Sequence, residues 1–272
     1  MRFSQIDVFT DELTRGNALA VVHDAEGLSE ERMAAFARWT NLSETTFLLP
    51  PREPGADYRV RIFTPGRELP FAGHPTLGSA RAWLEAGGEP KGTDLVQECG
   101  AGLVRVRRDE GRLAFAAPPL IRGGEVSGED LRRVVRALRL DVGDVVDAQW
   151  ADNGPGWVAV LLKDAEAVLA VEPDRAAFDG LKIGVAGAYA PGGDAAFEVR
   201  AFTGDVEDPV TGSLNASIGQ WLTATGRAPA RYVAVQGTRL GRRGRVHVVR
   251  EGDDVWVGGD TVVGISGHVA LP

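Results

Sequence analysis

The sequence predicts an α+β protein of two pseudo-symmetric lobes, each with one buried helix set in a curved sheet. Three observations carry this. First, a shift of 139 positions lays Val60–Gly87 on Val199–Gly226 with eight identities in 28 and no gap, and the same shift pairs Pro90 with Pro229 and Gln97 with Gln236. Second, the order of elements around the matched segments is the same in both halves, as a duplicated unit requires. Third, the helix-like run in each copy is filled out by small residues, so each helix can sit inside a curved sheet. A shift of 140 also matches Asp24–Glu26 with Asp164–Glu166.

In chain order, "RFSQIDVFT" alternates as a half-buried strand does, and "NALAVV" follows as another. Ser29 is placed to cap a helix through about Trp39, with Glu30 and Glu31 favourable in its first turn. "TFLL" and "YRVRIFT" read as strands. The helix from about His74 to Ala86 carries Leu77, Ala80 and Leu84 on one stripe beside Trp83, and Gly87 and Gly88 stop it. "SGEDLRRVVRALRL" is an amphipathic surface helix with Ser127 as its cap. The counterpart of the His74–Ala86 helix in the second copy carries Leu214, Ile218, Trp221 and Leu222 and ends at Gly226. The first lobe is expected over residues 1–117, with 256–272 as a candidate to complete it, and the second over 118–255.

The net charge of −8 argues against a broad nucleic-acid surface. The basic stretch "RLGRRGR" reads as a solvated turn between strands. No apolar run approaches the roughly 20 residues of a membrane helix, and "MRFSQIDVFTDE" lacks the marks of a signal peptide, so a cytoplasmic protein is expected. The single cysteine, Cys99, excludes a disulfide framework and any mechanism that needs two thiols of one chain, and it reads as packing. The four histidines lack paired-ligand spacing, and neither a P-loop nor a strand-bound dinucleotide fingerprint is present, so no cofactor and no metal are expected.

The chemistry gathers in the loops before the two buried helices, "ELPFAGH" and "EDPVTGS". Related by an approximate twofold, they would aim two helix N-termini at one ligand. Free N–H groups at Gly73, His74, Gly212 and Ser213 would then hold a carboxylate. The two loops differ at polar positions: Leu69 corresponds to Asp208, and His74 to Ser213. On residue chemistry alone the plainer alternatives stay open, with Ser213 as an N-cap, His74 as a capping or surface histidine, and Glu44 in "TNLSETTFLL" as a solvated residue of a polar connection.

Together "NLSETTF", "RIFTPGRELPFAGHPTLGSA", "VEDPVTGS", "QGTRLGR" and "VWVGGDTVVGISGHVAL" resemble the phenazine-biosynthesis isomerase family, over essentially the whole chain. The resemblance implies a diaminopimelate-epimerase-like fold, each lobe a curved, barrel-like mixed or antiparallel sheet around a central helix, with the active site between two lobes, and a homodimer. It also implies a cofactor-independent isomerase acting on trans-2,3-dihydro-3-hydroxyanthranilate or a related small carboxylate. Glu44 takes the place of the family's general acid/base, His74 and Asp208 those of its assisting residues, and Gly73, Gly212 and Ser213 those that surround the ligand. Asn215 departs from the small residue expected there. A carboxyl that takes and returns a proton needs a pKa lifted toward neutrality, and Glu44 and Asp208 would titrate as a pair. The helix dipole would keep His74 neutral. Two alternatives follow from the same residues: a racemase or epimerase working without thiols, and a protein that binds a small acid without turning it over.

Overall fold

The computed structural model describes residues 1–109, 111–204 and 206–271. The chain divides into two units, Met1–Ala116 with Gly258–Pro272, and Ala117–Val257. Among the described residues no helix is long and apolar enough to cross a membrane.

In the first unit, β1 (Arg2–Val8) pairs antiparallel with β2 (Asn17–Val22). The chain then crosses over through α1 (Glu30–Thr40), whose first turn is capped by Ser29 accepting from the Arg32 N–H. Asn41, left-handed at φ 54°, ends that helix and turns the chain into β3 (Glu44–Leu49), which lies parallel to β2. β4 (Tyr58–Phe63) runs antiparallel to β3, and the short β5 (Glu68–Leu69) doubles back on β4. Next comes α2 (Gly73–Glu85), then β6 (Leu95–Cys99) parallel to β4, and the antiparallel β7 (Gly102–Asp109) and β8 (Arg112–Ala116).

The burial of α2 is wider than the predicted stripe. Every residue from Gly73 to Ala80 is buried, because the helix packs against several strands of the sheet rather than one. Gly78 makes that approach possible: a Cβ there would stand 2.5 Å from Leu19 Cδ2 of β2, inside any tolerable contact.

The second unit opens with β9 (Arg122–Glu125) and the surface helix α3 (Gly128–Leu138), capped by Ser127 as its spacing predicts. β10 (Val145–Asp152) pairs with β9 and β11 (Trp157–Leu162), and α4 (Ala165–Ala170) leads to β12 (Lys182–Ala188), parallel to β11. β13 (Phe197–Thr203) pairs antiparallel with β12, and β14 (Val206–Asp208) doubles back on it before α5 (Gly212–Ala224). β15 (Arg231–Gln236) lies parallel to β13 and antiparallel to β16 (Gly244–Glu251). After β17 (Asp254–Gly259), β18 (Thr261–His268) returns to the first unit and pairs with β1.

The duplication read from sequence is present at three levels. The shift of 139 carries α2 onto α5 residue for residue, Gly73 to Gly212 and Glu85 to Ala224. The two parallel pairings of the first unit recur in the second. One ion pair recurs as well. Arg61 meets Glu68 through Nε at 2.7 Å and again through Nη2, and Arg200 meets Glu207 with two bonds of 2.9 Å.

Candidate active site

Glu44 lies at the first position of β3, opposite Leu19 of β2, rather than in the polar connection the sequence suggests. Its side chain is 16% exposed, so the reading as a solvated residue does not hold. Two hydroxyl contacts fix this strand end. Thr45 Oγ1 lies 2.8 Å from Thr40 Oγ1 at the close of α1, and Ser79 of α2 donates to Thr46 Oγ1 at 2.9 Å. The strand that carries Glu44 is therefore tied directly to the helix that carries His74.

His74 is the second residue of α2 and only 4% exposed, which corrects the surface alternative. The capping alternative fails too, since the N-cap is Ala72 and no side chain caps this helix. Pro75 has no N–H, so the amides of Gly73 and His74 are the donors that the first turn leaves without an intrahelical acceptor. His74 Nδ1 stands 3.5 Å from Glu44 Oε2 and 3.5 Å from Asn17 Nδ2. Its Nε2 is buried without a hydrogen-bond partner among the described residues.

Burial pushes the His74 pKa down to about 3, against a smaller opposing pull from the Ala18 backbone. The imidazole is neutral at physiological pH, as the helix dipole leads one to expect, but burial is the larger cause. A neutral ring has one N–H and one bare nitrogen. Nδ1 can donate to an ionised Glu44, or accept from a protonated one, once the two groups close up. Contacts of 3.5 Å are long for a ground-state hydrogen bond, and catalytic bonds commonly tighten when ligand enters.

The mouth of α5 in the second unit has the same backbone and different side chains. Asp208 closes β14, and Thr211 Oγ1 donates to its Oδ2 at 2.6 Å. Gln236, fully buried, makes four bonds here, three to the loop and one to Asn215 of α5. Its Oε1 accepts from the Thr211 N–H at 3.0 Å and from Asn215 Nδ2 at 2.8 Å, while its Nε2 donates to the Asp208 carbonyl and to Thr211 Oγ1, each at 3.0 Å. Asn215 is accounted for here, since its amide also donates to the Thr211 carbonyl at 2.9 Å. Ser213 is not the N-cap that its sequence position allows. Thr211 holds that place without a side-chain bond to the helix's own N–H groups, and Ser213 Oγ accepts from Trp157 Nε1 at 3.1 Å.

The fold thus brings Glu44, His74 and Gly73 together in one unit, and Asp208, Gly212 and Ser213 together in the other. Sequence reasoning missed Asn17, the first residue of β2, as a buried neighbour of His74. It also missed the Thr211–Gln236 network, although the match of Gln97 to Gln236 under the repeat was a signal for it. Cys99 is half-buried with its thiol pKa raised, chiefly by burial, which suits packing. The basic loop is a turn whose arginines meet surface acids, Arg239 with Glu172 at 2.7 Å and Arg245 with Asp194 at 2.8 Å. Among the described residues no group of His, Cys, Asp and Glu is arranged to hold a metal ion.

Comparison with known proteins gives one consistent answer. Residues 6–268 match the family model described as phenazine biosynthesis-like protein. The trans-2,3-dihydro-3-hydroxyanthranilate isomerase of Pseudomonas aeruginosa is 35% identical, covering 92% of this chain and 91% of its own. The fission yeast Schizosaccharomyces pombe protein named antisense-enhancing sequence 1 is 36% identical, over 97% of each chain. Among solved structures, a phenazine biosynthesis protein of the PhzF family from Enterococcus faecalis superposes with a TM-score of 0.81 at 26% identity, covering both chains fully. A hydroxyproline epimerase from Agrobacterium vitis shares the fold alone, with a TM-score of 0.60 at 16% identity over 100% of this chain and 92% of its own. The expected α+β, epimerase-like fold is confirmed.

Proposed function

The chain belongs to the phenazine biosynthesis-like family and is an isomerase, and on that premise we propose that Glu44 moves a proton between two carbons of a small substrate bearing a carboxylate. The observation that carries the proposal is the Glu44–His74 contact at the mouth of α2, with the ring held neutral by burial. Glu44 removes the proton as general base and returns it as general acid. His74 Nδ1 accepts from or donates to the same carboxyl, steadying whichever protonation state the step requires. The free amides of Gly73 and His74, at the positive end of the helix, suit the negative charge that builds on the substrate as its C–H bond breaks. From the second unit we assign Asp208 an assisting role, and the amides of Gly212 and Ser213 a part in holding the carboxylate. No step in this scheme calls for a cofactor.

The substrate we propose is trans-2,3-dihydro-3-hydroxyanthranilate or a close relative, on the strength of the 35% identity to the enzyme that bears that name. We also propose that the protein is a cytoplasmic homodimer, the dimer being tested by size-exclusion chromatography with light scattering. A passive acid-binding role is set aside, because the relatives are isomerases. An epimerase working through Glu44 is a second reading, which the same residues would allow.

Incubation with the substrate in deuterated water, followed by NMR, separates these readings. A proton shift along the ring gives product labelled at the new C–H position. Epimerization exchanges only the α-hydrogen and inverts that centre. Glu44→Gln keeps the shape but cannot exchange a proton, and it should abolish turnover while ligand still binds. Wild-type kcat in that variant would reject Glu44 as the base.

A further inference from the structure

One face of β4 carries Arg59 and Arg61, and the equivalent face of β13 carries Glu198 and Arg200. The two faces agree in chemistry over most of their length. Arg61 lies over Phe63 at 5.1 Å and Arg200 over Phe202 at 4.9 Å, and both arginines hold their duplicated glutamates. They part at a single position, where the repeat sets Arg59 against Glu198. In the second unit Glu198 is fully buried, and Tyr189 Oη donates to its Oε2 at 2.6 Å. Tyr189 leaves the end of β12, so its ring fills the space in front of this carboxyl.

Among the described residues the first unit places no such ring before Arg59. At the corresponding end of β3 stand Pro50 and Pro51, too short to reach the sheet face in the same way. A cavity of about 440 Å³ lies there instead, lined by the apolar Met33, Leu49 and Pro50 and by the charged Glu26, Arg52 and Arg59 among others. Arg59 Nε is buried without a hydrogen-bond partner among the described residues. Glu98 and Glu26 offset part of the positive charge, while Arg52 and Arg61 add to it. A buried, unsatisfied donor of a cation, in a lining where Arg52, Arg59 and Arg61 outnumber Glu26 and stand beside Leu28, Met33 and Leu49, favours a ligand that brings both an acceptor charge and a hydrophobic body.

We propose that this cavity is a binding site for a small aromatic carboxylate, its ring taking the space that Tyr189 takes in the second unit and its carboxylate meeting Arg59. In the second unit a phenol donates to a carboxylate that the fold supplies. In the first the donor is the fold's guanidinium and the ligand supplies the carboxylate, so the pair is kept with its polarity reversed. Neither Glu44 nor His74 lines the cavity, and the site stands apart from the proton-transfer machinery.

The chain has two methionines, and Met33 lines the cavity, so methyl-13C methionine labelling reads the site directly. Benzoate should shift the Met33 methyl resonance saturably, and benzamide, the same shape without charge, should bind at least about tenfold more weakly. Arg59→Gln should bring benzoate down to the level of benzamide, and Glu44→Gln should leave the Met33 response unchanged. The proposal falls if Met33 does not respond, if benzoate and benzamide bind alike to the wild type, if folded Arg59→Gln keeps full benzoate affinity, or if Glu44→Gln abolishes the response. The ratio of benzoate to benzamide in the wild type decides the matter even if Arg59→Gln does not fold.

Discussion

At the mouth of α2 the ionisable side chains are Glu44 and His74, and they face each other at 3.5 Å beside Asn17. At the mouth of α5 the polar side chains are bound into the scaffold, Ser213 by Trp157, and Asp208 by Thr211 with Gln236 behind it. Both helices start without a side-chain cap and have a buried glutamine on the neighbouring parallel strand. In the first unit that glutamine, Gln97, binds Thr76 and Tyr58 and leaves the loop before the helix to other contacts. In the second, Gln236 fastens the loop itself. The difference teaches that duplication supplied two equal helix ends, and side-chain chemistry then made one suited to exchanging protons and the other to holding a fixed geometry.

The largest expected effect sharpens that contrast. Glu44→Gln should lower kcat by about 100- to 10,000-fold, the usual range for a lost general acid/base. Ser213→Ala should lower kcat less than about tenfold, with more of its effect in KM, because it removes a positioned contact and no exchanging proton. Steady-state kinetics on the two variants checks this, and equal losses of kcat would break the comparison. Next in size is the duplicated ion pair. Arg200 and Glu207 are 4% and 8% exposed, and the Arg200 guanidinium also donates to the Val168 and Val171 carbonyls, at 3.1 and 2.7 Å. Glu207→Gln should cost about 3–5 kcal/mol, as breaking a buried pair does. Glu68→Gln, at the half-exposed counterpart, should cost about 1 kcal/mol or less. Urea unfolding of both variants measures the gap. Smaller again is the glutamine contrast. Gln236→Leu removes four bonds and should cost about 2–4 kcal/mol, and Gln97→Leu removes two and should cost about 1–2 kcal/mol.

Much of this was legible in the sequence because the repeat is a property of the chain itself. The 139-residue shift located both buried helices, and capping residues such as Ser29 and Ser127 act within a few positions of where they stand. Glu44 was different. No local pattern distinguishes a strand-starting glutamate from one in a solvated loop, and only the family resemblance raised it. Burial by distant elements decides such cases. Ser79 reaches β3 across 33 positions, and Asn17 reaches His74 across 57. The sequence expectation for His74 had the right sign with a secondary cause in front, since a dipole is visible in a helix pattern and enclosure by a sheet is not. The cavity at Arg59 was also beyond reach, because it depends on what Pro50 and Pro51 leave unfilled.

The pH dependence of stability gives the finest test of how the two helix mouths differ. His74 takes a proton in the folded protein only near pH 3, whereas the unfolded chain takes it near 6.5. The folded pKa is depressed, so the neutral buried ring contributes its full stability above about pH 6.5. That contribution is lost progressively as pH falls from 6.5 toward 3, because the unfolded state then binds a proton the native state does not. The slope from one such group is at most about 1.4 kcal/mol per pH unit. His23, also depressed chiefly by burial, adds a slope of the same sign, but it is present in every variant and cancels in a difference. Relative to His74→Gln, the wild type should therefore lose stability on going from pH 7 to pH 5, by up to about 2 kcal/mol in all. Ser213→Ala, altered at the equivalent position of α5, should run parallel to the wild type over the same range, since a serine hydroxyl does not titrate there. Urea midpoints at pH 7, 6 and 5 for the three proteins decide it. Parallel lines for the wild type and His74→Gln would mean that the ring is reached by water, and the distinction between an exchanging and a fixed helix mouth would lose its electrostatic basis.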